Sequence, residues 1–307
     1  MSALTSTDEA LHAFAADVGQ ADPIAVEGGG TRWQIGGVLH GSARLVSAPV
    51  GIVDYRPEEM VITVRAGTPV AELHAVLGEA GQRSSLPERG GTVGGAVAVG
   101  ESRLDLLGRG SVRDAVLQVR YVSAEGEIVT GGGPVVKNVS GFNVPKLMVG
   151  SLGTLGLIAE VVLRTNPTPP ASQWIRAADV DPVAVRNAVL RPSSVLWNGS
   201  STWVLLEGHE KDLEHEVTAL SSIGEFVEVD GPPDLPPYRW SLPPADAAAL
   251  HRETVGGFVA TIGVGTVHAD TAAPKRELDP AIAVVTERMK TLFDPKGRLN
   301  PGRSPQT

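Results

Sequence analysis

Cysteine is absent from the 307 residues of this chain. Its absence excludes disulfide bonds, a cysteine nucleophile, thiolate metal sites and an iron–sulfur cluster held by the chain itself. Aromatic residues are also scarce, at 4% of the chain, whereas glycine (36 residues) and proline (23 residues) are abundant. This composition indicates a loop-rich α/β protein and not a bundle of helices.

Long runs of basic or apolar residues are absent as well. Acidic residues (35) outnumber basic ones (26), and no cluster of Lys and Arg indicates a surface for nucleic acid or anionic membranes. No stretch approaches the roughly 18 apolar residues of a membrane-spanning helix. The first residues lack a basic leader followed by an apolar core, so we expect no secretory signal and a cytoplasmic location.

The sequence predicts two domains that are divided at a proline-rich linker. The length of the chain allows two domains, and three prolines fall within residues 167–170, where they end a predicted sheet. Residues 1–166 are therefore predicted to form the first domain. Predicted strands and helices alternate in residues 167–307, which indicates a small α+β domain.

The first of three glycine clusters follows a short predicted strand at residues 24–26. Gly28, Gly29 and Gly30 are consecutive and precede Thr31 and Arg32. Consecutive glycines present unobstructed backbone N–H groups, and such a nest can bind a pyrophosphate. A flexible hairpin is the structural alternative. The loop lacks a lysine of the Walker type, which argues against an ATP site.

Two further glycine clusters lie within residues 84–100 and 131–156. The second cluster contains GGTVGG, and the third ends in GSLGTLG, directly before an apolar run that predicts a buried strand at residues 157–163. Glycine is costly inside a helix or strand, so its repeated use indicates sharp turns or close approach to a flat ligand. A tight structural loop and the wall of a cofactor crevice both fit this pattern.

Four segments resemble motifs of one flavoprotein family, and they occur in the family's order. VVKNVSGFNVPKLMVGSLGTLGLI resembles the family segment vvKNVaGyDlxKLxxGSlGTLGvI, and FDPKGRLNPGR resembles its closing motif FDPxGxLNPGr. The first two glycine clusters resemble its GGGT-type and TiGGxva loops. The chain is thus similar to flavoproteins with the vanillyl-alcohol-oxidase-type, or PCMH-type, FAD-binding domain. Within them it is most similar to the FAD-binding subunit of bacterial glycolate oxidase.

The resemblance implies an α+β fold: a PCMH-type FAD-binding domain of two α/β subdomains, a small α+β cap, and a C-terminal tail that returns to the FAD-binding domain. The cofactor-binding residues that it implies are Gly28, Gly29, Gly30, Thr31, Arg32, Gly91, Thr92, Val93, Gly94, Gly95, Ala98, Gly141, Gly153, Leu157, Ile158 and Asn300. FAD should be bound non-covalently, because residues 24–37 and 84–100 contain neither His nor Cys.

Catalytic residues are expected in the second domain. A dehydrogenase of 2-hydroxy acids needs a cation for the substrate carboxylate and a base for the hydroxyl proton. Larger relatives carry a GDGNxH segment that can hold a metal. The matching residues 263–268 read GVGTVH and keep one histidine, so no metal site is predicted. The catalytic candidates are Arg239, Trp240 and His268, and a packing role is the alternative for each.

The leading hypothesis that follows is an FAD-binding oxidoreductase subunit of a glycolate-oxidase-like complex. It would oxidise a small 2-hydroxy acid and pass electrons onward, beside a second flavin subunit and an iron–sulfur subunit. A self-contained FAD-dependent oxidase or dehydrogenase of a small hydroxy acid or alcohol is the first alternative. A degenerate FAD-fold protein that only binds a partner is the second. Residues 235–244, with Tyr238 and Trp240, are the expected rim of a docking surface for a partner subunit.

Overall fold

The computed structural model describes residues 2–133, 143–251, 255–273 and 279–305, with side chains from Glu9 onward. Within these ranges the chain has a mixed α/β fold that divides into two compact units. Unit 1 comprises residues 1–103, 111–167 and 276–307, and unit 2 comprises residues 104–110 and 168–275. None of the helices in the described ranges is long and apolar enough to cross a membrane.

The helices and strands are numbered here in chain order. The helices are α1 (Ser2–Val18), α2 (Val70–Glu79), α3 (Val93–Val99), α4 (Leu106–Arg109), α5 (Val112–Ala115), α6 (Val144–Met148), α7 (Pro182–Ala188), α8 (Glu210–Leu220) and α9 (Pro280–Phe293). The strands are β1 (Ile24–Val26), β2 (Arg44–Val46), β3 (Ile52–Arg56), β4 (Val61–Arg65), β5 (Gln82–Arg83), β6 (Val116–Val122), β7 (Ile128–Gly132), β8 (Leu157–Arg164), β9 (Asn166–Pro167), β10 (Ala171–Ala178), β11 (Ser194–Trp197), β12 (Ser201–Gly208), β13 (Val227–Val229), β14 (Tyr238–Ser241), β15 (Phe258–Thr261) and β16 (Thr266–Ala269).

Unit 1 is built on an antiparallel sheet with the strand order β3-β4-β8-β6-β7. Strand β8 lies in the middle of this sheet, and seven of its eight residues are buried. Two hydrophobic cores explain this burial. One core includes residues of α2, α3 and β8, and the other includes residues of α1, β1 and β8. Because β8 contributes to both cores, its buried residues follow one another without a break instead of alternating with exposed ones.

The second glycine cluster opens a helix, which corrects the expectation of a loop there. Helix α3 begins at Val93, and the Oγ1 atom of its N-cap residue Thr92 accepts a hydrogen bond from the Gly95 N–H at 3.2 Å. Gly94 is required by close packing, since a Cβ there would lie 2.7 Å from the Ala66 Cβ. The Gly94 N–H also donates to the Ala66 carbonyl at 2.7 Å. These contacts offset the low helix propensity of glycine.

Two other boundaries differ from what the local sequence predicts. Thr68 directly precedes Pro69 and is the residue that the sequence favours as the N-cap of a helix, but helix α2 begins at Val70 with Pro69 as N-cap. The Thr68 hydroxyl is occupied elsewhere, because it accepts from the Gly51 N–H at 2.8 Å. The largely apolar residues 255–264 predict one strand, but the strand observed there, β15, is shorter, because a turn with positive φ at Gly263 and Gly265 follows it.

Unit 2 is a seven-stranded antiparallel sheet with the order β13-β10-β12-β11-β15-β16-β14. Its main hydrophobic core includes residues of α7, α8 and six of these strands. The side chains of Val204 and Leu206 on β12 and of Val195 on β11 are buried there. Strands that alternate with amphipathic helices along the sequence thus form a two-layer arrangement.

Candidate cofactor site

A cavity of about 400 Å³ lies in unit 1 and is bounded by the glycine clusters. It is lined by Val26, Glu27, Gly28, Gly29, Gly30, Thr31, Arg32, Trp33, Ile35, Ser47, Ala48, Val50, Ala66, Gly67, Gly91, Thr92, Gly94, Gly95, Ala98, Val99, Leu152, Gly153, Ile158, Asn300 and Arg303. This volume falls in the range of pockets that bind cofactors and other small molecules. Most lining groups are glycine backbone or apolar side chains, with few polar groups that could orient a ligand.

The first two glycine loops pack against each other, backbone on backbone, beside this cavity. A Cβ on Gly29 would lie only 2.7 Å from the Cα of Gly91, and a Cβ on Gly28 would collide with the Thr92 side chain. Gly30 and Gly91 have φ angles of 69° and 80°, which side chains other than glycine rarely adopt. The glycines are therefore required by close approach and by backbone conformation.

Two arginines and one carboxylate connect the same loops. The Arg32 Nε donates to Glu101 Oε2 at 2.6 Å, and the Arg89 Nη1 donates to Glu101 Oε1 at 2.8 Å. The Arg32 Nη1 also donates to the Gly90 carbonyl at 2.9 Å. Glu101 is 4% exposed, and the Arg32 side chain is 8% exposed. The Arg32 Nη2 is buried and has no hydrogen-bond partner among the described residues.

The Glu101 carboxyl group is held in its charged form. Burial raises its pKa, but the hydrogen bond from Arg32 and the charges of Arg32 and Arg89 outweigh burial, so the net pKa lies below its ordinary value. Two cations thus share one buried carboxylate, so the cluster of Arg32, Arg89 and Glu101 keeps a net positive charge. An anionic group on a ligand would find a complementary environment there.

The third glycine cluster and the C-terminal segment form another part of the cavity wall. The Asn300 Nδ2 donates to the Gly153 carbonyl at 2.9 Å. The backbone of the C-terminal segment runs parallel to β1, because the Ile24 N–H donates to the Arg298 carbonyl and the Asn300 N–H to the Ile24 carbonyl, each at 2.8 Å. Leu152, which also lines the cavity, has a φ of 53°, so strained backbone lies at this wall.

Trp33 and Arg303 form a stacked pair at the cavity. The Arg303 guanidinium carbon lies 4.9 Å from the centroid of the Trp33 ring, which is the geometry of a cation–π contact. Arg303 also donates to the carbonyl groups of Ile35 and Gly37. These contacts connect the C-terminal segment to the residues that follow the first glycine loop, and the Arg303 guanidinium packs on one face of the Trp33 indole.

The comparisons with known proteins agree with this geometry. Residues 3–132 match the family model FAD_binding_4, described as FAD binding domain. The glycolate oxidase subunit GlcE of Escherichia coli is 29% identical over 332 aligned residues, which cover 92% of this chain and 92% of that protein. A D-2-hydroxyglutarate dehydrogenase of Xanthomonas citri is 30% identical over 50% of this chain, and the chain spans 34% of its length.

The chain is an FAD-binding oxidoreductase. It is related to glycolate oxidase subunits and to dehydrogenases of hydroxy acids. Among solved structures, an alkyldihydroxyacetonephosphate synthase superposes with a TM-score of 0.68 over 95% of this chain and 73% of that chain. The sequence identity to that synthase is 15%, so this likeness concerns the fold alone.

The cavity of the flavoprotein brings together most of the residues that the sequence assigns to FAD. Thirteen predicted residues line it: Gly28, Gly29, Gly30, Thr31, Arg32, Gly91, Thr92, Gly94, Gly95, Ala98, Gly153, Ile158 and Asn300. Val93 and Leu157 do not, because both side chains are fully buried in the hydrophobic cores. The Val93 N–H donates to the Thr68 carbonyl at 2.9 Å and is not available to a phosphate. Gly141 lies outside the described residues.

The sequence analysis does not predict Trp33 and Arg303, which line the flavoprotein's cavity, or Glu101, which pairs with the cavity-lining Arg32. Glu101 directly follows the second glycine cluster and has arginines on both sides, at positions 89 and 103, a pattern that could have indicated a buried ion pair. Arg303 lies at the end of the closing motif. Only the fold brings it to Trp33, 270 positions earlier (303 − 33 = 270).

The catalytic candidates of the flavoprotein lie in the sheet of unit 2. Arg239 on β14 is the register partner of His268 on β16, so these two residues are neighbours across the strand pair. Trp240 is 5% exposed, packs in the core of unit 2, and donates its Nε1–H to the Thr271 carbonyl at 2.9 Å. These surroundings favour a packing role for Trp240.

No group of three or more His, Asp or Glu residues that could hold a metal ion occurs in the described part of the chain. His268 is buried, at 4% exposure, and belongs to the β15–β16 hairpin. The absence of a metal from the working protein stays a prediction.

Proposed function

We propose that the chain is the FAD-binding subunit of a glycolate-oxidase-like complex that oxidises a small 2-hydroxy acid and passes the electrons onward. The observation that carries this proposal is the match to subunit GlcE, which extends over 92% of both chains. The matches to D-2-hydroxyglutarate and D-lactate dehydrogenases extend over half of this chain or less. A match over 92% of both chains supports the same domain organisation as subunit GlcE. A match over half of this chain or less supports only a shared FAD-binding region.

The cavity in unit 1 is the proposed FAD site. The consecutive backbone N–H groups of Gly28, Gly29 and Gly30 would hold the pyrophosphate, together with the unpaired Arg32 Nη2. The N–H groups of Val93 and Gly94 are already bonded to backbone carbonyls, so the second loop would support the first by packing. The bound flavin supplies the redox chemistry, and the chain supplies binding and orientation. In this proposal residues 1–166 provide the PCMH-type FAD-binding domain, and residues 167–307 provide the cap and the returning tail.

Arg239 and His268 are the proposed groups for the substrate. A guanidinium can pair with a carboxylate through two hydrogen bonds, and an imidazole can accept a proton near neutral pH. Their register across β14 and β16 supports a joint role. Trp240 is not proposed for substrate contact, since its ring packs in the hydrophobic core of unit 2 and its Nε1–H is bonded to the Thr271 carbonyl.

The proposed partners are a second flavin subunit and an iron–sulfur subunit. The chain has no cysteine and hence no cluster of its own for onward electron transfer. Residues 235–244 are the proposed contact segment. Of its two large aromatic side chains, Tyr238 is 49% exposed and Trp240 is buried, so Tyr238 is the one that can meet a partner.

A self-contained dehydrogenase is the second candidate function. It is favoured by the 32% identity to a D-lactate dehydrogenase of Anaerostipes hadrus over 48% of this chain. The match covers 32% of that dehydrogenase. A chain that acts alone would therefore have to form its active site without counterparts of the remaining parts of the dehydrogenase.

We expect the FAD to be released by acid. The described residues that line the cavity include no His, Cys or Tyr, which are side chains able to attach a flavin covalently. Precipitation of the purified protein with trichloroacetic acid should leave a colourless pellet and a yellow supernatant. A pellet that keeps its flavin fluorescence after washing would show a covalent bond and contradict the prediction.

We expect the isolated FAD-loaded chain to oxidise glycolate or D-lactate below about 1 per second, the low end of ordinary enzyme turnover. Co-expression with a larger flavin subunit and a cysteine-rich subunit should give a co-purifying complex that turns over faster. The measurement is anaerobic bleaching of the flavin band and dye reduction, and the control is the larger subunits expressed without this chain. Turnover by the lone chain at the roughly 1–1,000 per second of ordinary enzymes would favour the self-contained dehydrogenase.

A further inference from the structure

We propose that Glu101 is a positioning residue: it fixes the Arg32 guanidinium so that the unpaired Nη2 serves the diphosphate of the ligand in the cavity. Glu101 does not line the cavity, whereas Arg32 does. Any effect of Glu101 on a ligand therefore passes through Arg32 or the loops. This inference rests on the proposed FAD site and adds a residue to it that no glycine motif contains.

The hydrogen bonds of Arg32 determine which of its donors is left for a ligand. Its Nε is taken by Glu101 Oε2 at 2.6 Å, and its Nη1 by the Gly90 carbonyl at 2.9 Å and the Thr31 hydroxyl at 3.0 Å. Its Nη2 has no partner among the described residues, although it is buried. A buried donor without a partner costs free energy unless a ligand or water accepts its hydrogen bonds. In a cavity-lining arginine, the acceptor that fits best is a phosphate oxygen.

Glu101 also fixes the relative position of the two glycine loops. One carboxylate oxygen binds Arg32, which follows the first loop, and the other binds Arg89, which precedes the second. A charged acceptor is needed for this, since two guanidinium groups that share one neutral acceptor would repel each other. Removal of the carboxylate charge should therefore release Arg32 from its place without removing its donors.

The test is a double-mutant cycle between Glu101 and Arg32. We expect Glu101→Gln to raise the Kd for FAD and for ADP, which shares the diphosphate, by about tenfold. Binding of riboflavin, which has no phosphate, should stay unchanged. In an Arg32→Met background, Glu101→Gln should change the Kd for ADP by less than about twofold, because the residue through which it acts is gone. Affinities are measured by isothermal titration calorimetry on the full chain freed of flavin.

The matched control is Glu88→Gln. Glu88 also pairs with an arginine, Arg103, but its side chain is 66% exposed and does not line the cavity. This variant should bind ADP and FAD as the wild type does. If Glu101→Gln does not fold, Glu101→Asp keeps the charge but shortens the reach, and the same cycle with Arg32→Met applies to it.

The possible results distinguish a failure of the proposed FAD site from a failure of the positioning role of Glu101. A wild-type chain that binds neither FAD nor ADP overturns the FAD site and the role of Glu101 together. Wild-type binding that is unaltered in Glu101→Gln overturns the role of Glu101 alone. Equal losses in the wild-type and Arg32→Met backgrounds, or a loss for riboflavin as large as for ADP, would show a general structural effect and also overturn the positioning role.

Discussion

The Gly29→Val variant should purify without flavin, with a Kd for FAD that is at least about 100-fold higher than that of the wild type. A Cβ at this position would lie 2.7 Å from the Cα of Gly91. This is a contact with backbone, so no side-chain rotation can relieve it, and the two loops must move apart. The backbone N–H groups proposed for the pyrophosphate would move with them. Gly29 itself is exposed, and the cores of unit 1 do not include it, so the protein should remain folded.

Two further glycine variants test whether the loss of FAD binding in Gly29→Val comes from the steric clash with Gly91 or from the replacement of a glycine as such. A Cβ on Gly30 would have no protein atom within 4 Å, but the φ of 69° is costly for a side chain by roughly 1–2 kcal/mol, so Gly30→Val should weaken FAD binding less than Gly29→Val does. Gly78→Val is the control, because Gly78 is exposed in α2, has no atom within 4 Å of its Cβ position, and lies away from the cavity. It should keep the full complement of flavin.

The measurements are the ratio of flavin to protein absorbance after purification, and the titration of flavin-free protein with FAD. Circular dichroism and thermal unfolding confirm that each variant is folded. A folded Gly29→Val protein that binds FAD within about threefold of the wild type would show that the first glycine loop does not hold the pyrophosphate. The cavity assignment would then be wrong, whatever the function of the chain.

The parts of the fold that depend on residues close together along the chain could be predicted from the sequence. The apolar run at residues 157–163 predicts a buried strand, and β8 is that strand. The hairpin of β6 and β7 follows from two β-rich runs around the turn at residues 124–126. These elements are encoded by local periodicity and turn residues, which a single sequence displays directly.

Features that depend on distant residues could not be predicted in the same way. Glycine in the second cluster indicated a loop, because the sequence does not show that Ala66 packs against Gly94 and leaves no room for a side chain. The sequence predicts Trp240 near the rim of a surface, but strand pairing turns its ring into the core of unit 2. The bridge from Arg32 to Glu101 spans 69 positions, and only the folded loops bring these charges together.

The clamp made by Arg298 is the most extensive of these long-range features in the described ranges. Its guanidinium donates to four backbone carbonyls, those of Val18 at 2.7 Å, Gly19 at 3.1 Å, Asp22 at 3.0 Å and Ala124 at 3.0 Å. Arg298 is 2% exposed, and burial lowers its pKa. The clamp joins the end of α1 and the β6–β7 turn to the segment that carries Asn300 into the cavity wall.

We expect Arg298→Met to lower the free energy of unfolding of unit 1 by at least about 3 kcal/mol. A hydrogen bond from a charged donor contributes about 1.5–3 kcal/mol, and the variant leaves several carbonyl groups without their partner. Lysine should not restore the loss, because one ammonium group cannot reproduce the planar set of donors that reaches four carbonyls. The same variant should weaken FAD binding, since the Asn300 N–H and the Ile24 N–H belong to the backbone pairing that Arg298 anchors.

The control for Arg298→Met is Arg44→Met. Arg44 is also in unit 1 and donates to the Asp17 carboxylate and carbonyl, but its side chain is 46% exposed, so its ion pair should contribute less than about 1 kcal/mol. Unfolding by guanidinium chloride, followed by circular dichroism at equal FAD saturation and again without FAD, gives the difference between the two variants. If Arg298→Met unfolds at the denaturant concentration of Arg44→Met, the four hydrogen bonds do not hold the C-terminal segment. Its place in the cavity wall would then have to depend on the pairing with β1 and on the contacts of Asn300 and Arg303.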